Sequence, residues 1–186
     1  EERLVNIDSL ASDPLSSHLD AALRMGKSAL VEDGNQKYFI SVQTPPLRIL
    51  CIGAVHISQA LVPMARVLGH DVIVVDPRTA FATPERFPGV PLYAEWPDKV
   101  LPTIAIDRYT AVVLLTHDPK IDDPALHIAL RSDSFYIGAL GSRKTHGKRI
   151  ERLQQAGFSD EAVARIHAPV GMNIGAVSPA EIALSI

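Results

Sequence analysis

The chain has 186 residues, 47% of them apolar and 21% charged, an ordinary balance for one globular domain with an appendage. Its formal net charge of −3 excludes the broad basic field that duplex nucleic acid needs, and an aromatic content of 5% argues against a platform for stacking single-stranded bases. A single cysteine, Cys51, excludes an internal disulfide, and no apolar run approaches the roughly 20 residues of a membrane helix, so we expect a cytoplasmic protein without a membrane span or a nucleic-acid partner.

The first 45 residues are predicted to form a small appendage of one helix and one hairpin. The helix is predicted over Asp13–Gly26, where apolar residues recur near helical spacing. Two β-prone segments, Ser28–Val31 and Tyr38–Val42, flank the turn dipeptide Asp33-Gly34 and so predict a β-hairpin. The prolines of Thr44–Pro46 break this pattern and mark a domain boundary.

In residues 46–186, apolar strands alternate with helical segments. The strands are short, rich in Val, Ile and Leu, and largely apolar on both faces, as strands of a buried parallel sheet are. This alternation predicts an α/β fold with a doubly wound, mostly parallel Rossmann-like sheet. The predicted strands are Leu47–Ile52, Asp71–Val75, Ala111–Leu115 and Phe135–Leu140.

Capping signals predict the ends of the helices. A helix over Ile57–Leu68 should stop at the glycine that follows it, and Pro63 inside it predicts a kink or a short first turn. Asp123-Pro124 has the pattern of an N-cap with proline at the first helical position. Ser142 should cap a helix running to about residue 156, and Ser178 begins a capping box near the end of the sequence.

The loop after the first strand carries an altered dinucleotide-binding fingerprint, whose candidate ligand contacts are Gly53, Ala54, Val55 and His56. In the pattern G-x-G-x-x-G, Gly53 supplies the first glycine, Val55 replaces the second and Ser58 replaces the third. A β-branched valine narrows the space for a diphosphate and disfavours positive φ. The loop is therefore either a cradle for a nucleotide-like ligand or a structural remnant that binds nothing tightly.

Two charged residues, Asp76 and Arg78, follow the second strand. Asp76 stands roughly 20 residues after Gly53, near the place of the acid that binds a ribose hydroxyl in dinucleotide-binding folds. Arg78 could hold a phosphate, so the pair does not decide between ligand types.

The loop after the fourth strand has a basic helix start, and its candidate binding residues are Gly138, Gly141, Ser142, Arg143 and Lys144. Positive charges in the first turn of a helix are unfavourable by about 0.3–1 kcal/mol each, because they face the positive end of the helix dipole. A bound anion reverses that sign, so the pattern favours a phosphate site over a merely solvated basic face. Further basic residues follow at His146, Lys148, Arg149 and Arg152.

Thr116, His117 and Asp118 follow the third strand, on the carboxyl edge of the sheet, where open α/β folds bind their ligands. Adjacent residues on an extended chain point to opposite faces, so we expect one ligand contact and one cap from His117 and Asp118 rather than a catalytic dyad. Asp122 and Asp123 look like helix-capping groups, and no histidines show metal-ligand spacing, so neither a metal site nor a catalytic group is predicted.

Several consecutive segments, in the right order between about Lys37 and Ile186, resemble the C-terminal Rossmann domain of the XdhC/CoxI family. The segments are Ile52–Ile57, Val75–Arg78, Phe81–Pro88, Leu115–Lys120, Asp122–Leu126 and Tyr136–Arg143. Proteins of this family are accessory factors for molybdenum hydroxylases such as xanthine dehydrogenase and aerobic carbon monoxide dehydrogenase. Two differences from the family pattern are Val55, where a glycine is common, and the first 43 residues, which show no counterpart of the family's N-terminal domain. The resemblance therefore implies a stand-alone version of the C-terminal domain.

The resemblance implies a chaperone that binds molybdenum cofactor, as molybdopterin or its cytidine dinucleotide form, assists its sulfuration and delivers it. Its expected partners are a molybdenum hydroxylase apoenzyme and a cysteine desulfurase, and a homodimer is the commonest assembly should the chain self-associate. Two alternatives remain open: a small NAD(P)-dependent oxidoreductase, and a nucleotide-sensing regulatory domain. Against the oxidoreductase stand Val55 and the lack of an evident acid for hydride transfer.

Overall fold

The computed structural model of the protein describes residues 3–5 and 7–186. Two compact units make up the chain, with the boundary between Pro45 and Pro46.

The first unit contains a helix and an antiparallel hairpin. A 3-10 helix, Ile7–Ser12, precedes helix α1, Ser16–Met25, which ends at a left-handed glycine, Gly26. Strands β1, Ala29–Asp33, and β2, Gln36–Ile40, pair around a tight turn. The predicted helix and hairpin are thus both present, with a shorter turn than the sequence pattern indicated.

The second unit is built on a six-stranded sheet in which every pairing is parallel. Its strands are β3 Arg48–Ile52, β4 Asp71–Val75, β5 Leu92–Tyr93, β6 Thr110–Leu114, β7 Tyr136–Ala139 and β8 Ile166–His167. Their spatial order is β5-β4-β3-β6-β7-β8, the order of the doubly wound dinucleotide-binding fold. The strand order reverses between β3 and β6, which is where such folds have their usual ligand crevice. The predicted fold class is confirmed.

The helices of this unit cover both faces of the sheet. They are α2 His56–Val67, α3 Pro97–Val100, α4 Pro119–Ala129, α5 Arg143–Gln155, α6 Asp160–Val163 and α7 Pro179–Ser185. One core layer packs alternate strand residues such as Leu50 and Val112 together with α4, and the other packs Cys51 and Val113 together with α2. Cys51 is therefore a buried core residue. Pro63 lies inside α2, which continues through it as one helix.

The start of α4 corrects one prediction from the sequence. Asp123-Pro124 does not begin this helix, because Asp118-Pro119 carries the same signature five residues earlier. The Asp118 carboxylate accepts a hydrogen bond from the Lys120 amide at 2.9 Å, and Pro124 lies within the helix. Asp118 is therefore the residue that caps the helix, and His117, in the loop between β6 and α4, adopts a positive φ of 63°.

Candidate functional site

The glycine loop between β3 and α2 uses its own amides for internal hydrogen bonds. The Gly53 amide donates to the Val75 carbonyl at 2.8 Å. The Ala54 amide donates to Oδ2 of Asp76 at 2.7 Å, and the Val55 amide donates to Oγ of Ser58 at 2.8 Å. In a pyrophosphate cradle such amides would face the ligand. Here the first three amides of the loop already have partners within the protein.

Asp76 and Arg78 bind each other. Oδ1 of Asp76 accepts from the Arg78 amide and from Nε, both at 2.9 Å, and Oδ2 accepts from Nη2 at 2.7 Å. Burial alone raises the pKa of this fully buried carboxyl, but the hydrogen bonds from Arg78 and Ala54 outweigh it and hold the pKa below its ordinary value. Asp76 therefore joins the ends of β3 and β4, and a ribose hydroxyl could reach it only by displacing these bonds.

A cleft of about 280 Å³ opens on the same carboxyl edge of the sheet, between the beginnings of α4 and α5. It is lined by His117, Pro119, Asp122, Lys144, Thr145, Lys148, Arg149 and Arg152. Both helices begin at this edge: Asp118 accepts the first amides of α4, and Ser142 caps α5 by accepting from the Thr145 amide at 3.2 Å. The cleft therefore combines two helix starts with several basic side chains.

Arg149 forms the inner wall of the cleft, with only 2% of its surface exposed. Its Nη2 donates to the Leu140 carbonyl at 2.9 Å, whereas Nε and Nη1 have no hydrogen-bond partner among the described residues. Nη2 lies 3.8 Å from Oδ2 of Asp122, beyond hydrogen-bonding distance. A buried guanidinium with two unused donors is costly, and such a group commonly marks a binding role.

Asp122 faces Arg149 and is 1% exposed. Its Oδ1 accepts a hydrogen bond from Oγ1 of Thr116 at 2.6 Å, and Oδ2 has no hydrogen-bond partner among the described residues. Burial raises the pKa of this carboxyl to about 6, although the bond from Thr116 and the charge of Arg149 oppose the rise. The predicted capping role of Asp122 is wrong, because Asp118 is the N-cap of α4 and Asp122 lies within the first turn of the helix.

Two lysines at the rim of the cleft are not neutralised. Lys144 and Lys148 are exposed and form no ion pair with any described residue, whereas Arg152 is held by Asp123 at 2.6 Å. Asp123 is thus an ion-pair partner and not a cap. Arg143 is exposed on the first turn of α5 but does not belong to the lining of the cleft.

The remaining predicted site residues have structural environments. A Cβ on Gly138, inside β7, would lie 2.6 Å from Val170 and 2.7 Å from Tyr136. Gly141 has a φ of +132°, and its Cβ would lie 3.8 Å from the His117 ring. His56 is exposed at the first position of α2. An added side chain would therefore clash at Gly138 and would be strained by the positive φ at Gly141.

The sequence pattern indicated that the residues of α5 are basic, but it did not show that they line one cleft. Lys144, Lys148 and Arg152 recur every four residues, as do Thr145 and Arg149, so they share one helix face. That spacing is the signal from which the shared face could have been predicted.

The described residues contain no group of three or more metal-ligating side chains that could hold an ion. Among the same residues, none of the helices is long and apolar enough to cross a membrane.

The pH dependence of stability tests the environment of Asp122. The unfolded carboxyl loses its proton near its ordinary pKa of 3.8, whereas the folded one keeps it up to about pH 6, so its contribution to stability falls as the pH rises through that window. We expect the free energy of unfolding of the wild type, relative to Asp122→Asn, to fall by about 2 kcal/mol between pH 4 and pH 7, which is most of the difference between the two pKa values. Urea titrations at four pH values measure this difference.

The charged and titratable groups around Asp122 come from α4, α5 and the neighbouring loops. They are Asp118, Asp123, Arg149, Arg152 and Arg78, together with His117, Lys144 and Lys148 of the cleft lining, and His146 lies near Arg149. Burial lowers the pKa of His117 and of His146, so their protonation adds positive charge only under more acidic conditions. Wild type and Asp122→Asn share these groups, so their titration cancels in the comparison. Asp71→Asn, which removes an exposed carboxylate at the start of β4, is the matched control. Parallel stability curves for wild type and Asp122→Asn would contradict the prediction.

The sequence of the second unit matches a known protein family. Residues 49–186 match the model of the XdhC Rossmann domain. The chain belongs to this family. The resemblance that the sequence motifs indicated is therefore confirmed.

Three curated relatives of this XdhC Rossmann domain are bacterial. Uncharacterized protein YqeB of Escherichia coli is 34% identical over 88% of the chain and 30% of its own length. The molybdenum cofactor insertion chaperone PaoD of Escherichia coli is 32% identical over 76% of the chain and 38% of its own length. A probable xanthine dehydrogenase subunit of Bacillus subtilis is 30% identical over 83% and 45%, respectively. The chain thus spans less than half the length of each relative.

A solved structure supports the same fold. The crystal structure of a xanthine dehydrogenase from Bacillus halodurans aligns with a TM-score of 0.68 and 28% identity. The alignment covers 83% of the XdhC Rossmann chain and 47% of that protein.

Proposed function

We propose that this XdhC Rossmann domain belongs to a maturation factor for molybdenum hydroxylases and binds molybdenum cofactor in the cleft between α4 and α5. The named relatives supply the class of protein, and the cleft supplies a place for an anionic pterin. In this proposal the domain is a chaperone: it holds the cofactor while a cysteine desulfurase supplies sulfur for the sulfido ligand, and it then transfers the cofactor to a hydroxylase apoenzyme. We place this activity in the cytoplasm, where a single reduced cysteine is stable.

The observation that carries the proposal is the contrast between the two loops of the carboxyl edge. The glycine loop, which would cradle a dinucleotide, satisfies its amides with Asp76, Ser58 and Val75. The cleft beside α5 keeps unpaired cationic groups, including the buried donors of Arg149. Buried unpaired donors in a basic cleft fit an anionic ligand, whereas a closed glycine loop gives little support to a nicotinamide cofactor.

Binding of isolated cofactors tests this proposal. The purified chain is titrated with molybdenum cofactor under anaerobic conditions, and separately with NADH and NADPH, and the retained ligand is measured after gel filtration. We expect retention of the pterin and no retention of either nicotinamide nucleotide. Retention of NADH or NADPH without any pterin would instead support the oxidoreductase alternative.

A reconstitution assay tests the chaperone role. The chain, loaded with cofactor, is mixed with a molybdenum hydroxylase apoenzyme and compared with free cofactor at the same concentration. We expect the loaded chain to restore more hydroxylase activity, and to restore it further when a cysteine desulfurase and cysteine are present. Equal activation by free cofactor would contradict delivery by this domain.

A further inference from the structure

The cleft between α4 and α5 has a buried inner wall and a charged, exposed rim. Asp122 and Arg149, both almost fully buried, lie at the inner wall. Lys144, Lys148 and Pro119 are exposed at the rim. A ligand that enters from the rim therefore meets Arg149 with its leading end.

The charges of the cleft match a dianion. Arg152 is neutralised by Asp123 at 2.6 Å, and Arg149 is opposed by Asp122 at 3.8 Å. Lys144 and Lys148 remain without acidic partners among the described residues. Two uncompensated positive charges beside a helix N-terminus favour a group that carries two negative charges on one tetrahedral centre.

The position of Arg149 distinguishes a terminal group from an internal one. A phosphomonoester ends in three free oxygens and can enter a cleft that is closed at its inner end. A phosphodiester or a diphosphate linker continues on both sides, so it would need an exit past Arg149 and Asp122, which are buried and bonded to Leu140 and Thr116, respectively. A diester also carries one negative charge per phosphate and matches the two lysines less well.

We propose that the cleft is a subsite for a terminal phosphomonoester. Lys144 and Lys148 bind the phosphate at the rim, and Arg149 binds it at the inner wall. This subsite rests on the proposed function. It means that the domain binds the form of the pterin that ends in a phosphate, in preference to the dinucleotide form. Arg149 is the group that orients the phosphate, because its buried guanidinium has two unused donors, Nε and Nη1. Thr145 and the first amides of α5 complete the surroundings.

Simple phosphate esters test the subsite without the pterin. Phenyl phosphate is the monoester probe, diphenyl phosphate is the diester probe, and binding is measured by isothermal titration calorimetry at pH 8 and low salt. We expect phenyl phosphate to bind about tenfold more tightly than diphenyl phosphate, or better. Equal affinities for the two esters, or no binding of phenyl phosphate, would overturn the proposal.

Charge-matched variants place the binding in the cleft. Lys144→Met combined with Lys148→Met should weaken phenyl phosphate binding by about tenfold or more. Lys99→Met combined with Arg108→Met also removes two exposed positive charges, on α3 and before β6, and should leave the affinity unchanged. Equal losses in the two double variants would mean a general charge effect and would overturn the subsite.

Arg149→Met tests the inner wall and requires a folding control. This change removes the bond to the Leu140 carbonyl, so circular dichroism and a urea titration accompany it. If a folded Arg149→Met protein binds phenyl phosphate as tightly as the wild type does, Arg149 does not bind the phosphate. If the variant does not fold, the two lysine substitutions at the rim still decide whether the subsite exists.

The subsite and the proposed function fail in different ways. Pterin binding that persists unchanged in Lys144→Met/Lys148→Met would overturn the subsite and leave the cofactor-handling role intact. Phenyl phosphate binding that depends on these lysines, together with no affinity for the pterin, would keep the subsite and overturn the proposed function.

Discussion

Replacing Asp76 by asparagine should lower the free energy of unfolding by about 3 kcal/mol. The carboxylate is completely buried and accepts four hydrogen bonds, one from the Ala54 amide and three from Arg78. An asparagine offers one carbonyl oxygen in place of two charged ones, and its amide group would face a donor. The Arg78 guanidinium would also lose its counter-charge. Urea unfolding at pH 7, followed by circular dichroism, measures the change.

The matched control for Asp76→Asn is Asp71→Asn at the other end of β4. Asp71 is exposed and begins the strand, so its loss should change the free energy of unfolding by less than about 0.5 kcal/mol. If the two variants were equally stable, Asp76 could not be the connection between the loops after β3 and β4. The result bears on function too, because the same carboxylate holds the glycine loop closed.

Gly53→Ala should destabilise the protein by about 3 kcal/mol, through two additive effects. Gly53 has a φ of +118°, which residues with a Cβ rarely adopt. An added Cβ would lie 2.8 Å from Cγ2 of Thr116 and 3.4 Å from the Leu115 carbonyl carbon. This close approach occurs where the strand order reverses between β3 and β6, so the change also pushes apart the loops of the carboxyl edge. Urea unfolding measures the loss.

Two further variants separate backbone strain from the steric clash at Gly53. Gly69→Ala places a Cβ at a φ of +77° with nothing within 4 Å, so it should show the strain alone, about 1 kcal/mol. Adding Thr116→Ser to Gly53→Ala removes the clashing methyl and keeps the hydroxyl that donates to Asp122, so part of the stability should return. No recovery in the double variant would show that the methyl of Thr116 is not the obstacle.

The closed glycine loop and the open cleft have one structural explanation. Asp76 and Ser58 take the amides that a diphosphate would use, and Thr116 packs against Gly53 at the strand reversal. The amides of the usual crevice are thereby occupied by groups of the protein itself. Beside the loop after β7, the basic residues of α5 line a cleft of about 280 Å³.

Local patterns were sufficient for most of the fold. The four central strands were predicted to within one residue at each end, because each is a short apolar run between turn signals. Helix α5 was also predicted well, since Ser142 caps it. The two-residue strands β5 and β8 were missed, because two residues are too few to show a periodic pattern. The start of α4 was misplaced because two Asp-Pro dipeptides compete and only one side chain reaches an amide.

The parallel α/β fold, the family of the chain and the basic start of α5 could all be inferred without coordinates, because they depend on local periodicity, capping and consecutive motifs. Which polar residues are free to bind became known from the packing of the folded chain. Asp76 and Arg78 looked like ligand contacts but satisfy each other, whereas Arg149 looked like one more surface cation and is buried with two unused donors. The reason is physical: whether a charged group is available depends on which partners long-range packing brings within about 3 Å, and sequence spacing does not contain that information.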